Sequence, residues 1–139
     1  MAFSINPHTG LDGIEFGESQ EDLRSRLGNP KSFKRNPSTE TVTDHFVELG
    51  LLLSYNSEGR LEFIEVTPAA EVTFNGVGLI GRPLNEVVTE LASHGAYGES
   101  DSFGAEFTQS GFSLFAPNVD ADETAIVEGV SVFPRGYYG

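Results

Sequence analysis

The chain has no cysteine, few cations and no long apolar run, and each gap removes a class of function. Without cysteine there is no disulfide, no thiolate nucleophile and no cysteine-based zinc site, a composition that suits a reducing compartment. No stretch reaches the roughly 20 apolar residues that a bilayer-spanning helix needs. The opening residues Met1-Ala2-Phe3-Ser4-Ile5-Asn6-Pro7-His8 lack the basic start and apolar core of a secretory signal. A soluble, cytoplasmic protein is expected. Only 8 Lys and Arg stand against 21 Asp and Glu, for a net charge of −13. Nucleic acid and anionic membrane are poor partners for such a surface, since phosphate binding needs clustered cations. A basic protein is a better one. The imbalance is also uneven: Pro83 to Pro134 carries no cation but nine carboxylates, while five of the eight cations fall between Arg24 and Arg35.

With 139 residues the chain is the size of one ordinary domain, so residues 1–139 are read as a single compact domain. Within it a pattern recurs. Ile14-Glu15-Phe16-Gly17 precedes Leu23 and Leu27, then Gly28-Asn29-Pro30, then the glycine-led strand Gly50 to Tyr55 and Leu61 to Val66. Leu79-Ile80-Gly81 precedes Val87 and Leu91, then Gly111 to Phe115 and Val130-Ser131-Val132. Phe46 and Phe107 each stand four residues before their strand glycine. Two repeats are therefore expected, about 12–67 and 75–134.

The first helix is predicted from a Ser19 cap, acidic residues at Glu21 and Asp22, Leu23 and Leu27 on one side and a Gly28 stop. The second has Pro83 in its first turn, Leu84, Val87, Val88 and Leu91 at helical spacing, and Gly95 at its end. Short β-rich runs follow: Ser32 to Arg35, Thr41 to Val47, Leu51 to Tyr55 and Leu61 to Val66, then Phe103 to Phe107, Phe112 to Phe115 and Ile126 to Phe133. Asn56 to Gly59 and Asn75-Gly76 read as hairpin turns. Leu52 opposes Leu51, Leu53 and Tyr55, and Phe115 opposes Phe112 and Leu114, which marks two central strands with apolar residues on both faces. The predicted fold class is α+β, two tandem similar units, each one helix packed on an antiparallel sheet of three or four strands.

Chemical motifs do not emerge. His8, His45 and His94 have no carboxylate or second histidine at ligand spacing. Asn118, Asp120, Asp122 and Thr124 alternate as in a calcium loop, but Glu123 stands where the loop needs glycine and Gly129 where it needs a bidentate glutamate. Gly76, Gly78 and Gly81 spell a dinucleotide fingerprint outside the parallel βαβ context it requires. Glu86 and Glu90 lie one turn apart on a solvated helix face. Lys31, Lys34 and Arg35 with Phe33 are read as protection of an edge strand. No catalytic residue, metal or cofactor is assigned, and the chain is not read as an enzyme.

The run Phe16-Gly17-Glu18-Ser19-Gln20-Glu21-Asp22-Leu23-Arg24-Ser25-Arg26-Leu27-Gly28-Asn29-Pro30 resembles the helix start of the β-lactamase inhibitor protein family and of the BamE-related outer-membrane assembly lipoproteins. There a Phe-Gly, a capped helix and a Leu-Gly-x-Pro exit precede antiparallel strands. The resemblance implies a helix-plus-sheet fold and a protein-binding habit. It does not imply β-lactamase inhibition: the inhibitors carry disulfides and the lipoproteins a lipidated cysteine, and this chain has neither. The function expected is a non-enzymatic protein-binding module, a cytoplasmic immunity or inhibitor protein for a basic toxin or enzyme. Its contact residues are taken as Tyr97, Glu99, Asp101, Phe103, Asp120, Asp122 and Glu123, because loops with aromatic anchors and a charged rim suit an interface. Two other readings stand beside it: a self-associating scaffold that forms a homodimer, and a small-molecule binder with a pocket between the repeats.

Overall fold

The computed structural model describes residues 2–35, 37–38, 41–122 and 124–137. Strands β1 (Ala2–Asn6), β2 (Gly10–Leu11) and β3 (Ile14–Glu15) precede helix α1 (Gln20–Leu27). Strands β4 (Lys31–Phe33), β5 (Thr43–Phe46), β6 (Leu51–Tyr55), β7 (Leu61–Val66), β8 (Glu71–Phe74) and β9 (Val77–Gly78) lead to α2 (Leu84–Ser93). The chain then forms β10 (Glu99–Asp101), β11 (Gly104–Phe107), β12 (Phe112–Phe115) and β13 (Gly129–Val132).

Local chemistry accounts for both helices. The Ser19 hydroxyl accepts the Asp22 N–H at 3.2 Å, and Gly28 takes a positive φ of 107° while its N–H closes on the Arg24 carbonyl. Leu23 is the buried residue of this short helix. In α2, Pro83 occupies the cap position and Leu84, Val87 and Leu91 are buried on one stripe. The two helix starts are pinned in similar ways. The Gly17 N–H reaches the Leu61 carbonyl and the Leu61 N–H the Glu18 carbonyl; the Gly81 N–H reaches the Val127 carbonyl and the Val127 N–H the Arg82 carbonyl, all at 2.9 Å. The turns before β6 and β12 also match, with the N–H of Gly50 on the Phe46 carbonyl and that of Gly111 on the Phe107 carbonyl.

The sheets differ from expectation. One antiparallel sheet of eight strands runs in the order β10-β11-β12-β13-β7-β6-β5-β4, and a second of five runs β3-β2-β1-β8-β9, with β1 and β8 parallel. Two separate units, each a helix on its own sheet, are therefore not what forms: strands from both halves enter one continuous sheet. Its seam is β7 against β13, pairing Val66 with Val130, Glu65 with Ser131 and Ile64 with Val132. Left apart, these two strands would each present an unpaired row of N–H and C=O groups, and joining them removes both edges. Residues 2–15, which carry no strand signal in the sequence reading above, supply three strands of the second sheet.

One face of the large sheet looks inward. Phe46, Leu51, Leu53, Ile64, Val66, Val130, Val132, Phe112, Leu114 and Phe107 lie on it and are buried. The second sheet shares this core: the Phe74 ring of β8 lies 4.9 Å from that of Phe112, and Phe3, Ile5, Leu11, Val72 and the helix leucines belong to the same cluster. Among the described residues, neither the second sheet nor a helix is packed on the other face of the large sheet.

Candidate functional site

Because side chains alternate along each strand, the ladder registers place one residue of every strand in a single line across the outer face. From one edge to the other the line reads Glu99, Glu106, Ser113, Ser131, Glu65, Leu52, His45, Lys31. At roughly 4.8 Å per strand it spans about 33 Å. Its β10–β11 end is acidic and its β5–β4 end carries the cation and the histidine.

Beside the acidic half lies a groove of about 440 Å³. Leu52, Pro68, Phe103 and Phe115 give it apolar walls, Ser113 and Ser131 line its floor, and Glu65, Asp101, Glu106 and Glu128 supply four carboxylates. Phe103 is 64% exposed and Phe115 47% exposed. Aromatic side chains left this open side by side, one on the sheet face and one in the adjoining turn, are characteristic of contact surfaces. The tight turn into β11 shapes this rim: the Ala116 N–H bonds the Phe103 carbonyl at 2.7 Å, and the Phe103 N–H bonds the Asp101 carboxylate at 2.7 Å.

Glu65 is the least exposed of these acids for which a partner cation is in place. Its side chain is 28% exposed and pairs with Arg35, which lies beyond β4 and reaches across the face. Burial pushes the Glu65 carboxyl above its ordinary range, and the Arg35 charge and hydrogen bond draw it back only in part. The Arg35 guanidinium also stands over the Phe33 ring, 5.6 Å from its centroid. Further along the same face Tyr137 stacks on Phe63, with ring centroids 5.0 Å apart.

The residues proposed from sequence divide into three groups. Asp101 and Phe103 line the groove, and Glu99 stands on the same face of the edge strand β10, two residues before Asp101. Tyr97 is 75% exposed in the connection from α2 to β10, and Asp120 and Asp122 lie in the β12–β13 connection; none of the three lines the groove. Glu123 lies outside the described residues. The Asp122 carboxylate accepts from the Thr124 hydroxyl at 2.7 Å and from the Thr124 N–H at 2.9 Å, contacts that hold it below the usual carboxylate range. Sequence reasoning missed Glu65, Glu106, Glu128 and Ser131 as neighbours. The signal was the polar residue facing away from Ile64 and Val66, but which strands it would meet depends on the β7–β13 seam.

A second polar cluster sits on the inward face at the other end of the sheet. Asp44 is wholly buried there and accepts hydrogen bonds from Arg24, Ser32 and Tyr55, with Gln20 at 3.4 Å. It ties α1 to β4, β5 and β6 and is structural in geometry. Burial raises the Asp44 carboxyl, but the hydrogen bonds from Arg24, Ser32 and Tyr55 and the Arg24 charge outweigh it and leave the group below its ordinary value. Burial together with the Asp44 charge pushes the Tyr55 hydroxyl up.

Among the described residues no group of three or more His, Asp or Glu side chains has the geometry to hold a metal ion, and no helix is long and apolar enough to cross a membrane. His8 holds the Gln109 carbonyl at 2.8 Å, His94 caps α2, and Glu90 pairs with Arg82 at 2.6 Å. Comparison of the chain with known protein families, with curated proteins and with solved structures finds no match.

Proposed function

We propose that the chain is a non-enzymatic protein-binding module that covers a basic partner with the open face of its eight-stranded sheet, in the manner of a cytoplasmic immunity or inhibitor protein. The observation that carries this reading is the groove: exposed Phe103 and Phe115 beside Leu52, flanked by Asp101, Glu106, Glu128 and Glu65. Apolar walls supply the desolvated centre that contributes most of the binding energy, and the carboxylates supply attraction and selectivity toward positive charge. The net charge of −13 acts in the same direction at longer range. The protein-binding habit implied by the resemblance to the β-lactamase inhibitor family agrees with it.

The test is capture from native lysate with the wild-type chain and with a Phe103→Ser/Phe115→Ser variant as bait. Phe103 is largely exposed and Phe115 about half so, so the variant should lose on the order of 1–2 kcal/mol and stay folded, which an unchanged far-UV circular dichroism spectrum checks before capture. The wild type should retain one basic protein in stoichiometric amount, less of it as salt rises, and the variant should retain little. Equal capture by both baits, or none by either, rejects the reading. A salt-insensitive dimer by light scattering would transfer the face to self-association instead.

A further inference from the structure

We propose that the partner presents an arginine to Glu65 and that this arginine takes the place held in the free protein by the chain's own Arg35. The inference rests on the protein-binding reading above and names the chemistry by which that face selects its partner.

Three observations converge on it. Glu65 occupies β7, at the centre of the outer line of residues, yet the cation that neutralises it comes from beyond the edge strand β4, past β5 and β6. Arg35 is itself 49% exposed at its side chain, so its hold on the face is a rim contact that solvent competes with. The groove on the other side of Glu65 carries three further carboxylates, Asp101, Glu106 and Glu128, none of which forms an ion pair among the described residues. The face therefore has an excess of negative charge around a half-buried carboxylate whose present partner is replaceable.

Arginine fits better than lysine. A guanidinium is planar, can engage a carboxylate through two parallel N–H bonds and lies flat on aromatic rings. Arg35 already makes a cation–π contact with Phe33 on this face, 5.6 Å from the ring centroid, and Phe115 offers a second ring within the groove. Exchange of one guanidinium for another leaves Glu65 paired in both the free and the bound end states, so binding does not strand its half-buried charge. Arg35 then acts as an internal competitor that lowers the apparent affinity by the fraction of time it occupies Glu65.

The experiment is an amide NMR titration of the full chain with N-acetyl-arginine methylamide, and with the lysine analogue as control. The wild type, Arg35→Gln and Glu65→Gln proteins are compared after their dispersed spectra establish that each is folded. The arginine probe should shift the amides of Glu65, Leu52 and Ser131 in the wild type, and Arg35→Gln should bind it about fivefold more tightly. The lysine probe should be several-fold weaker, and Glu65→Gln should lose the shifts. The inference is overturned if removing Arg35 leaves binding unchanged or weaker, if the two probes are indistinguishable, if Glu65→Gln binds like the wild type, or if no variant shows saturable shifts. Its failure is separable from that of the function: a partner captured equally well by Glu65→Gln rejects the arginine and keeps the module, whereas arginine shifts without any captured partner keep the exchange and reject the module.

Discussion

Both oxygens of the Asp44 carboxylate, a group closed to solvent, are held by the Arg24 guanidinium, through Nε at 2.8 Å and Nη2 at 2.7 Å. The pair fastens α1 to the edge half of the large sheet, where the short helix contributes only Leu23 to the fully buried core. The carboxylate is buried while the Arg24 side chain is 40% exposed, so the pair gives little net stability over an apolar replacement, but removing the cation leaves a buried charge without its counter-ion and is expensive. Arg24→Leu should therefore lower the stability by about 3 kcal/mol, and the double variant Arg24→Leu/Asp44→Leu should recover most of that loss. Urea midpoints of the two variants check it; a double variant as unstable as the single one would contradict the argument.

The same pair sets an acid limit. The folded-state value of Asp44 lies below its ordinary one, so its contribution is complete above about pH 4, the ordinary aspartate value, and is lost as pH falls through the depressed value. Chemical denaturation at pH 7 and pH 3 should show a drop in the wild type that is smaller in Asp44→Asn. Equal drops in both proteins would assign the acid sensitivity elsewhere.

Glu65 has the opposite sign. Burial raises its folded-state value, so the stability linked to its neutral form is present at low pH and is lost as pH rises through that raised value. At pH 7 the charged group is carried at some expense to the fold. Glu65→Gln should accordingly be at least as stable as the wild type at pH 7, by a few tenths of a kcal/mol or more, with the advantage shrinking toward pH 4. A midpoint clearly below that of the wild type at pH 7 would mean that the Arg35 contact outweighs the burial.

Gly104 opens β11 with a φ of 151°, and a Cβ at that position would stand 1.8 Å from the Leu114 carbonyl oxygen. No side-chain rotation relieves a clash between a Cβ and the neighbouring backbone. Gly104→Ala should cost on the order of 3 kcal/mol and disturb the β11–β12 pairing, visible as faster hydrogen exchange at Ala105 and Glu106. Unaltered exchange at those amides would show that the turn adapts.

Local signals foretold local structure. The Ser19 cap, the Leu84, Val87 and Leu91 stripe and the hairpins at Asn56 to Gly59 and Asn75-Gly76 depend on neighbours a few residues away, and the elements formed there match them closely. The doubled apolar faces of β6 and β12 likewise marked interior strands. What escaped was decided by distant pairing. Phe3 and Ile5 alternate with exposed residues, but a short strand at Ala2–Asn6 becomes evident only beside β8. The continuity of the large sheet rests on β13 meeting β7, which no turn residue dictates. Asp44 carries a readable hint, a lone carboxylate in register with Phe46 on an inward face, whereas nothing local in α1 marks Arg24 as its partner. The groove inherits this limit: Asp101 and Phe103 were legible as a loop with an aromatic, but their neighbours Glu65, Ser131 and Glu128 were brought to them by the seam.

That seam also governs the order in which the molecule can mature. Val66 waits for Val130, so during synthesis the β4–β7 meander is finished long before the strand that covers its flank leaves the ribosome. Through that interval β7 is a bare sticky margin, open to another nascent chain, and the binding face is only half assembled. Non-local closure of this kind makes for slow maturation.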